Sequence, residues 1–277
     1  MDHPNNLLKL THDNYFSQEA SKQYMSNSQY KDFLTCEAQA LAKINGEWVE
    51  KPSTAFLVGS YVHAWAQGVL RDWCAEHPEC LKKDLTLKAD FVHANVMIET
   101  LKNDPFIMYV LDGQKEVIVT AEMFGTPWKI MIDSYNPEKR RNVDLKTTES
   151  ITKKVWDNDL WSKVTFLEMY KYVQGAVIYS EVERIANGRP PGDWFDFYIA
   201  AVSKQDVPDK EVISLVDPER YEIELINIQN NMPRILSVKN GEVEPNCCGQ
   251  CDYCRSKKRL RGAIHYKQLD PKFYGLE

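Results

Sequence analysis

The order of apolar and polar positions divides the chain into helical and extended stretches. Residues 1–25 show no sustained period and are expected to form an irregular N-terminal arm. From Ser26 or Ser28, either of which can cap a helix, YKDFLTCEAQALAKI keeps a helical pattern as far as Asn45-Gly46 and places Cys36 mid-helix. A second helix is predicted over about 56–76, carrying His63, and a third over about 88–103, before Asp104-Pro105.

The period then changes. KEVIVTAEM (115–123) is rich in β-branched residues, Gly125-Thr126-Pro127 makes a turn, and WKIMIDS (128–134) alternates strictly. NVDLKTT (142–148) alternates again after the polar turn NPEKRR, so the three segments predict an antiparallel meander. A long helix over about 163–187 should end near Asn187-Gly188. Strands at 194–203 and 211–216 and a last helix over about 218–237 lead to a group of cysteines. The expected architecture is α/β: a mixed central β-sheet, the meander plus further strands, flanked by helices. It would occupy 26–255 as one domain, with 256–277 as a basic C-terminal tail.

Composition narrows the class. Of 277 residues, 43% are hydrophobic and 27% charged, which excludes a disordered or collagenous chain. No apolar run reaches the roughly 18 residues of a membrane span. The first residues lack the basic start and apolar stretch of a secretory signal, so a cytoplasmic protein with no membrane partner is expected. The 34 basic and 40 acidic residues leave a net charge of −6, so a nucleic acid would need a local basic face. No phosphate-binding G-x-x-x-x-G-K-[ST], no H-E-x-x-H and no G-x-S-x-G occurs, which leaves ATP hydrolysis, zinc proteolysis and serine hydrolysis without support.

Candidate chemistry gathers on the meander. Residues two apart on a strand share a face roughly 6.5–7 Å apart, so Asp144 and Lys146 can address one site, and Asp133 on the adjoining strand can join them. Two carboxylates suit a hard divalent cation such as Mg²⁺ or Mn²⁺, and an ammonium beside them can orient water or stabilise developing charge. By spacing alone, an exposed salt-bridged strand face explains the same residues. At the other end, Cys248-x2-Cys251-x2-Cys254 offers three thiolates at metal-ligand spacing. RSKKRLR follows, with Arg255, Lys257, Lys258, Arg259 and Arg261 as a candidate DNA-backbone contact or a solvated face. In KKVWDNDLWSK (153–163), Trp156 and Trp161 alternate with lysines and could stack on a strand end, though tryptophans are more often core.

Taken in order, GSYVH (59–63), MIDS (131–134), VDLKTT (143–148) and YKYVQGAVIY (170–179) resemble the PD-(D/E)XK nuclease superfamily, with its restriction-endonuclease-like core. The similarity is to the branch holding phage-type exonuclease VIII (RecE) and the RecB nuclease domain. It implies Asp133 and Asp144 as metal ligands, Lys146 as the catalytic lysine, His63 beside the metal and Gln174 as the glutamine of a helical Q-x3-Y motif. Ile178 stands where that tyrosine should be, and Tyr179 follows one place later. Glu116 could supply another carboxylate, without a motif to place it. The resemblance further implies an ATP-independent exonuclease that degrades linear double-stranded DNA 5′→3′. Its 3′ overhangs would feed a single-strand annealing partner in recombination, and the enzyme would act as a ring-shaped homo-oligomer. Alternatives are a single-strand nuclease working with a helicase, as in AddB, and a non-catalytic DNA-binding module organised by the cysteines. AddB-type and CRISPR-associated members imply Cys36 as the fourth ligand of a [4Fe–4S] cluster with Cys248, Cys251 and Cys254. Their C-terminal spacing is wider than here, and Zn²⁺ or metal-free structural thiols fit the same residues.

Overall fold

The computed structural model describes residues 7–157, 161–260 and 262–269. Helix α1 (Gln18–Gln23), capped by the Ser17 hydroxyl, is followed by α2 (Asn27–Thr35), capped by Ser26, and α3 (Glu37–Ile44). Then come α4 (Thr54–Gln67), α5 (Leu70–Glu76), α6 (Ala89–Lys102) and α7 (Pro105–Val110). Strands β1 (Gln114–Met123), β2 (Thr126–Asn136) and β3 (Arg141–Thr148) follow, then a hairpin of β4 (Val155–Asp157) and β5 (Ser162–Val164). Helices α8 (Phe166–Met169) and α9 (Tyr172–Ala186), strands β6 (Asp196–Ser203) and β7 (Lys210–Ser214), and helices α10 (Pro218–Lys239) and α11 (Asp252–Lys257) complete the order. Among the described residues no helix is long and apolar enough to cross a membrane.

The main sheet runs β1-β2-β3-β6-β7, antiparallel throughout except for the parallel pair β3 and β6. This is the mixed α/β sheet expected from the alternating segments. Two apolar layers cover it. Trp128, Ile130, Ile132, Phe197 and Ile199 are buried against α2, α9 and α10, and Val143, Leu145, Ala200 and Val202 against α4, α6 and α7. Each fully buried large side chain contributes about 1.5–3 kcal/mol, so the central strands are pinned from both sides.

Several local expectations are corrected. The arm over 1–25 is not irregular throughout: it contains α1, and Met25 lies fully buried. Met25 bridges to Trp128, its N–H donating to the Pro127 carbonyl and its carbonyl accepting from Lys129 N, both at 2.8 Å. Cys36 is not mid-helix but at a break, with φ −162° and ψ 106°, because the distant segment at Asn246 bonds there. The 56–76 helix divides at Gly68, whose φ of +80° is a conformation that costs glycine little. Asp104-Pro105 opens α7, the Asp104 carboxylate accepting from the Phe106 and Ile107 amides. The 163–187 helix begins as a strand and is interrupted at Lys171, where φ is +51°. Trp156 and Trp161, on the hairpin, are 52% and 74% exposed and so are not core.

Two lysines, the half-buried Lys239 at the end of α10 and the buried Lys129 on β2, tie down the N-terminal segment. Lys239 donates to the Tyr24 carbonyl at 2.7 Å and to Gln29 Oε1 at 3.1 Å, and Lys129 donates to the Tyr15 carbonyl. Burial, with the charge of Lys129 adding, pushes Lys239 down to about 7. The unfolded chain then binds more protons than the folded one between about pH 7 and the ordinary lysine range. Folding stability from this group should therefore rise with pH across that window and be lost as pH falls through 7. Denaturant melts of Lys239→Met should show a shallower rise than the parent. Equal slopes would place the dependence elsewhere.

Candidate active site

Strands β2 and β3 pair only where Ser134, Tyr135 and Asn136 face Val143, Asn142 and Arg141. Beyond that, β2 stays with β1 while β3 stays with β6, and the two strands fork. Asp133 and Asp144 are the first residues of the fork. With no ladder partner on β2, the Leu145 amide donates instead to Asp133 Oδ2 at 2.8 Å. The carbonyl of the same residue faces His63 Nε2 at 2.6 Å. Leu145 itself is buried, so its backbone is a fixed anchor for both side chains.

His63 reaches the fork because α4 lies close on β3. A Cβ at Gly59, one turn earlier, would sit 3.3 Å from Thr147 Oγ1, so the glycine permits the approach. The first strand completes the group. Glu116 stands across from Asp133, between the register pairs Lys115–Ser134 and Val117–Ile132, with a left-handed φ of +52°. That backbone strain, of order 1–3 kcal/mol, is held by His12 Nε2 on the Glu116 carbonyl at 2.8 Å and by Gln67 Nε2 on Glu116 Oε1 at 2.7 Å. Burial, with the charge of Asp133 adding, pushes the Glu116 carboxyl up to about 6.

Ligand atoms of His63, Glu116 and Asp133 all lie within 4.8 Å of one another. A neutral His63 must carry its proton on Nε2 to face the Leu145 carbonyl, which leaves the Nδ1 lone pair 3.5 Å from Asp133 Oδ2. A lone pair and a carboxylate facing each other, with a second carboxylate alongside, fit a divalent cation between them. An imidazole whose far nitrogen bonds a backbone carbonyl is also the usual arrangement of a metal-bound histidine. Asp144 stands beside this set rather than in it. Its Oδ1 pairs with Lys146 Nζ at 2.7 Å, within electrostatic reach of Asp133 and His63. Burial and the charge of Asp133 hold Asp144 above the usual carboxylate range against the pull of Lys146. Burial opposes the charge of Lys146, yet Asp144 and Asp133 raise it above the ordinary lysine value, so it remains an ammonium.

Three neighbours carry no role in the motifs, although Tyr172 lies within YKYVQGAVIY. The Tyr172 ring lies 5.7 Å from Lys146 Nζ and 5.6 Å from Lys31 Nζ. Lys31, on α2, donates to the Tyr170 carbonyl at 2.8 Å, and burial pulls it down to about 8. Gln67 was legible in principle, since it lies one turn after His63 on the same helical face. Lys31 and Tyr172 had no local signal.

The other expected residues fall as follows. Gln174 is on α9, two residues past Tyr172, and its Oε1 is buried without a hydrogen-bond partner among the described residues. Ile178 is fully buried in the core, and Tyr179 packs edge-on to Phe197 with its hydroxyl proton held tightly by burial. Cys36, Cys248, Cys251 and Cys254 converge, with sulfurs within 4.8 Å of one another, while Cys247 is exposed and outside the group. Arg255 is occupied locally, donating to the Gln250 carbonyl and pairing with Asp252. Lys257, Lys258 and Arg259 are exposed, and Arg261 lies outside the described residues.

Comparison with known proteins bears on the fold and the family. A crystal structure of a "putative exonuclease" from Eubacterium rectale superimposes with a TM-score of 0.88. It shares 40% identity and covers 95% of this chain and 98% of its own. A second solved structure, SSO0001, has 12% identity over 83% of this chain and 96% of its own, with a TM-score of 0.30, too low to bear on the fold. No curated protein matches the sequence. The profile of a family described as PDDEXK-like domain of unknown function (DUF3799) matches residues 26–257. The fork that carries Asp133, Asp144 and Lys146 thus lies within the matched span, and the chain belongs to this PDDEXK-like family.

Proposed function

We propose that this chain is a divalent-metal-dependent deoxyribonuclease that digests linear double-stranded DNA from its 5′ ends without ATP. One juxtaposition supports it above all: the His63–Glu116–Asp133 ligand set beside the Asp144–Lys146 pair at the strand fork. The name of the 40%-identical relative points the same way. His63, Glu116 and Asp133, with Asp144 adjoining, would hold Mg²⁺ or Mn²⁺. The cation supplies a Lewis acid for the phosphodiester and makes water a better nucleophile at neutral pH.

The protein's own groups do the rest. Leu145 presents both backbone atoms to the fork, so Asp133 and His63 keep their orientation as charge changes around them. Lys146, held as an ammonium by Asp144 and Asp133, donates to water or a phosphate oxygen and stabilises developing negative charge. Lys31 adds a second cation beside Asp144 and Lys146. Side chains of Asp144 and Lys146 are 16% and 26% exposed, open enough for a strand to reach them. Trp156 and Trp161 on the β4–β5 hairpin offer faces for terminal bases, and Lys257, Lys258 and Arg259 offer phosphate contacts. A single-strand annealing protein would take up the 3′ overhangs, and a ring of identical subunits would keep the enzyme on its duplex.

Linear duplex labelled on either strand end, incubated with Mg²⁺ and no ATP, tests this. Expected is metal-dependent loss of the 5′-ended strands, leaving long 3′ tails. Digestion confined to single strands would favour a helicase-coupled nuclease. No cleavage with Mg²⁺ or Mn²⁺ would leave only a DNA-binding module.

A further inference from the structure

Cys36 breaks a helix that its neighbours would otherwise continue, and the break serves a meeting of distant segments. The Ala38 amide donates to the Asn246 carbonyl at 3.1 Å, and the Asn246 amide to Glu37 Oε2 at 2.7 Å. Arg234 grips both Glu37 carboxylate oxygens, at 3.0 and 2.7 Å. The result sets the Cys36 thiol among three others: 3.6 Å from Cys254 Sγ, 218 positions away, and 3.8 Å from Cys251 Sγ, with Cys248 Sγ 4.0 Å from Cys254 Sγ. These spacings are far beyond a disulfide bond, which is about 2.05 Å long.

We propose that Cys36, Cys248, Cys251 and Cys254 bind a single tetrahedral Zn²⁺ ion, and not an iron–sulfur cluster. A regular tetrahedron with metal–sulfur bonds of about 2.3 Å has sulfur–sulfur edges of about 3.8 Å. Three of the six edges, at 3.6, 3.8 and 4.0 Å, bracket that value, and the other three are within 4.8 Å. A four-iron cluster takes one thiolate at each of four separate irons, so its thiolates stand well outside such an edge, and the space between these sulfurs admits one ion only. In a set of soft donors of this kind Zn²⁺ binds more tightly than Fe²⁺.

The surrounding backbone suits thiolates. Gln250 and Cys251 amides point at Cys248 Sγ at 3.4 and 3.3 Å, and the Cys254 amide at Cys251 Sγ at 3.4 Å. Gly249, at φ +72°, makes the tight turn between the first two ligands. Four protein ligands leave no open position, so the ion is structural rather than catalytic. It joins the end of α2 to the C-terminal segment, and α2 carries Lys31. Its effect on cleavage therefore rests on the nuclease assignment, whereas the zinc itself does not.

The full-length chain, purified anaerobically from cells supplied with both iron and zinc, should be analysed in an Asp133→Ala background, which disables the other metal site. Expected is one zinc per chain, no acid-labile sulfide and no brown colour. Cobalt replacing the zinc one-for-one should show the intense visible bands of a tetrahedral thiolate complex. Cys36→Ser and Cys254→Ser should each lose the zinc and melt at lower temperature; if neither folds, the cobalt spectrum of the four-cysteine chain decides. Iron, with or without sulfide, would overturn the proposal. So would zinc retained in Cys36→Ser, a cobalt spectrum lacking thiolate bands, or no metal at all.

Discussion

Asp144→Asn should abolish DNA cleavage while leaving a folded protein that still binds its substrate. The amide keeps the shape of the carboxylate but removes the charge that faces Lys146 at 2.7 Å and adjoins the Asp133 and His63 ligands. Removing one preorganised electrostatic group from such a site costs roughly 10²–10³ in kcat, and loss of a charge next to a divalent cation should sit at or beyond that range. The fold should tolerate it. Burial already holds this carboxyl above its usual range, so a neutral side chain suits the metal-free pocket. Single-turnover digestion at saturating Mg²⁺, beside a melting curve, gives both quantities. A parental rate would remove Asp144 from the site.

Lys146→Met should be equally inactive, for a different reason, and its signature lies in the melting curve. Methionine retains the length of the stem but takes away the ammonium at 2.7 Å from Asp144, leaving Lys31 as a cation within electrostatic reach of that carboxylate. Losing one partner of a fully buried pair costs about 3–5 kcal/mol. Here side chains 16% and 26% exposed let water share the load, and a loss of about 1–3 kcal/mol is expected without metal. Mg²⁺ should restore part of it, because the ion supplies the positive charge that Lys146 had provided. The gap in Tm between variant and parent should therefore narrow on adding Mg²⁺. Loss of activity with no metal-dependent narrowing would mean that Lys146 acts apart from the carboxylates.

The residues whose roles were legible in the sequence are those governed by local rules. Strict alternation in WKIMIDS and NVDLKTT sets strands, because neighbouring side chains on a strand must face opposite layers. It also puts Asp144 and Lys146 on one side of β3, whatever the rest of the chain does. Ser26 and Asn187-Gly188 start or stop helices by satisfying end groups within a few residues. His63 and Glu116 could be nominated, but not placed. Their meeting with Asp133 depends on the fork between β2 and β3, and that fork exists because β2 follows β1 and β3 follows β6 along their lengths, leaving only three residue pairs between β2 and β3.

What tertiary structure decided shares one physical cause: a local preference overruled by a partner far along the chain. EAQALAKI is a good helix former, and nothing within it demands an interruption at Cys36. The break is made by the Asn246 carbonyl, which occupies the Ala38 amide, and by three sulfurs more than two hundred positions away. The same holds between β5 and α9, where Lys31, 139 positions away, donates to the Tyr170 carbonyl and Lys171 takes a left-handed turn. Lys31 and Tyr172 enter the site only through that packing. A period of 3.6 or 2 records which face a residue shows to its own element; it carries no record of which distant element will cover that face.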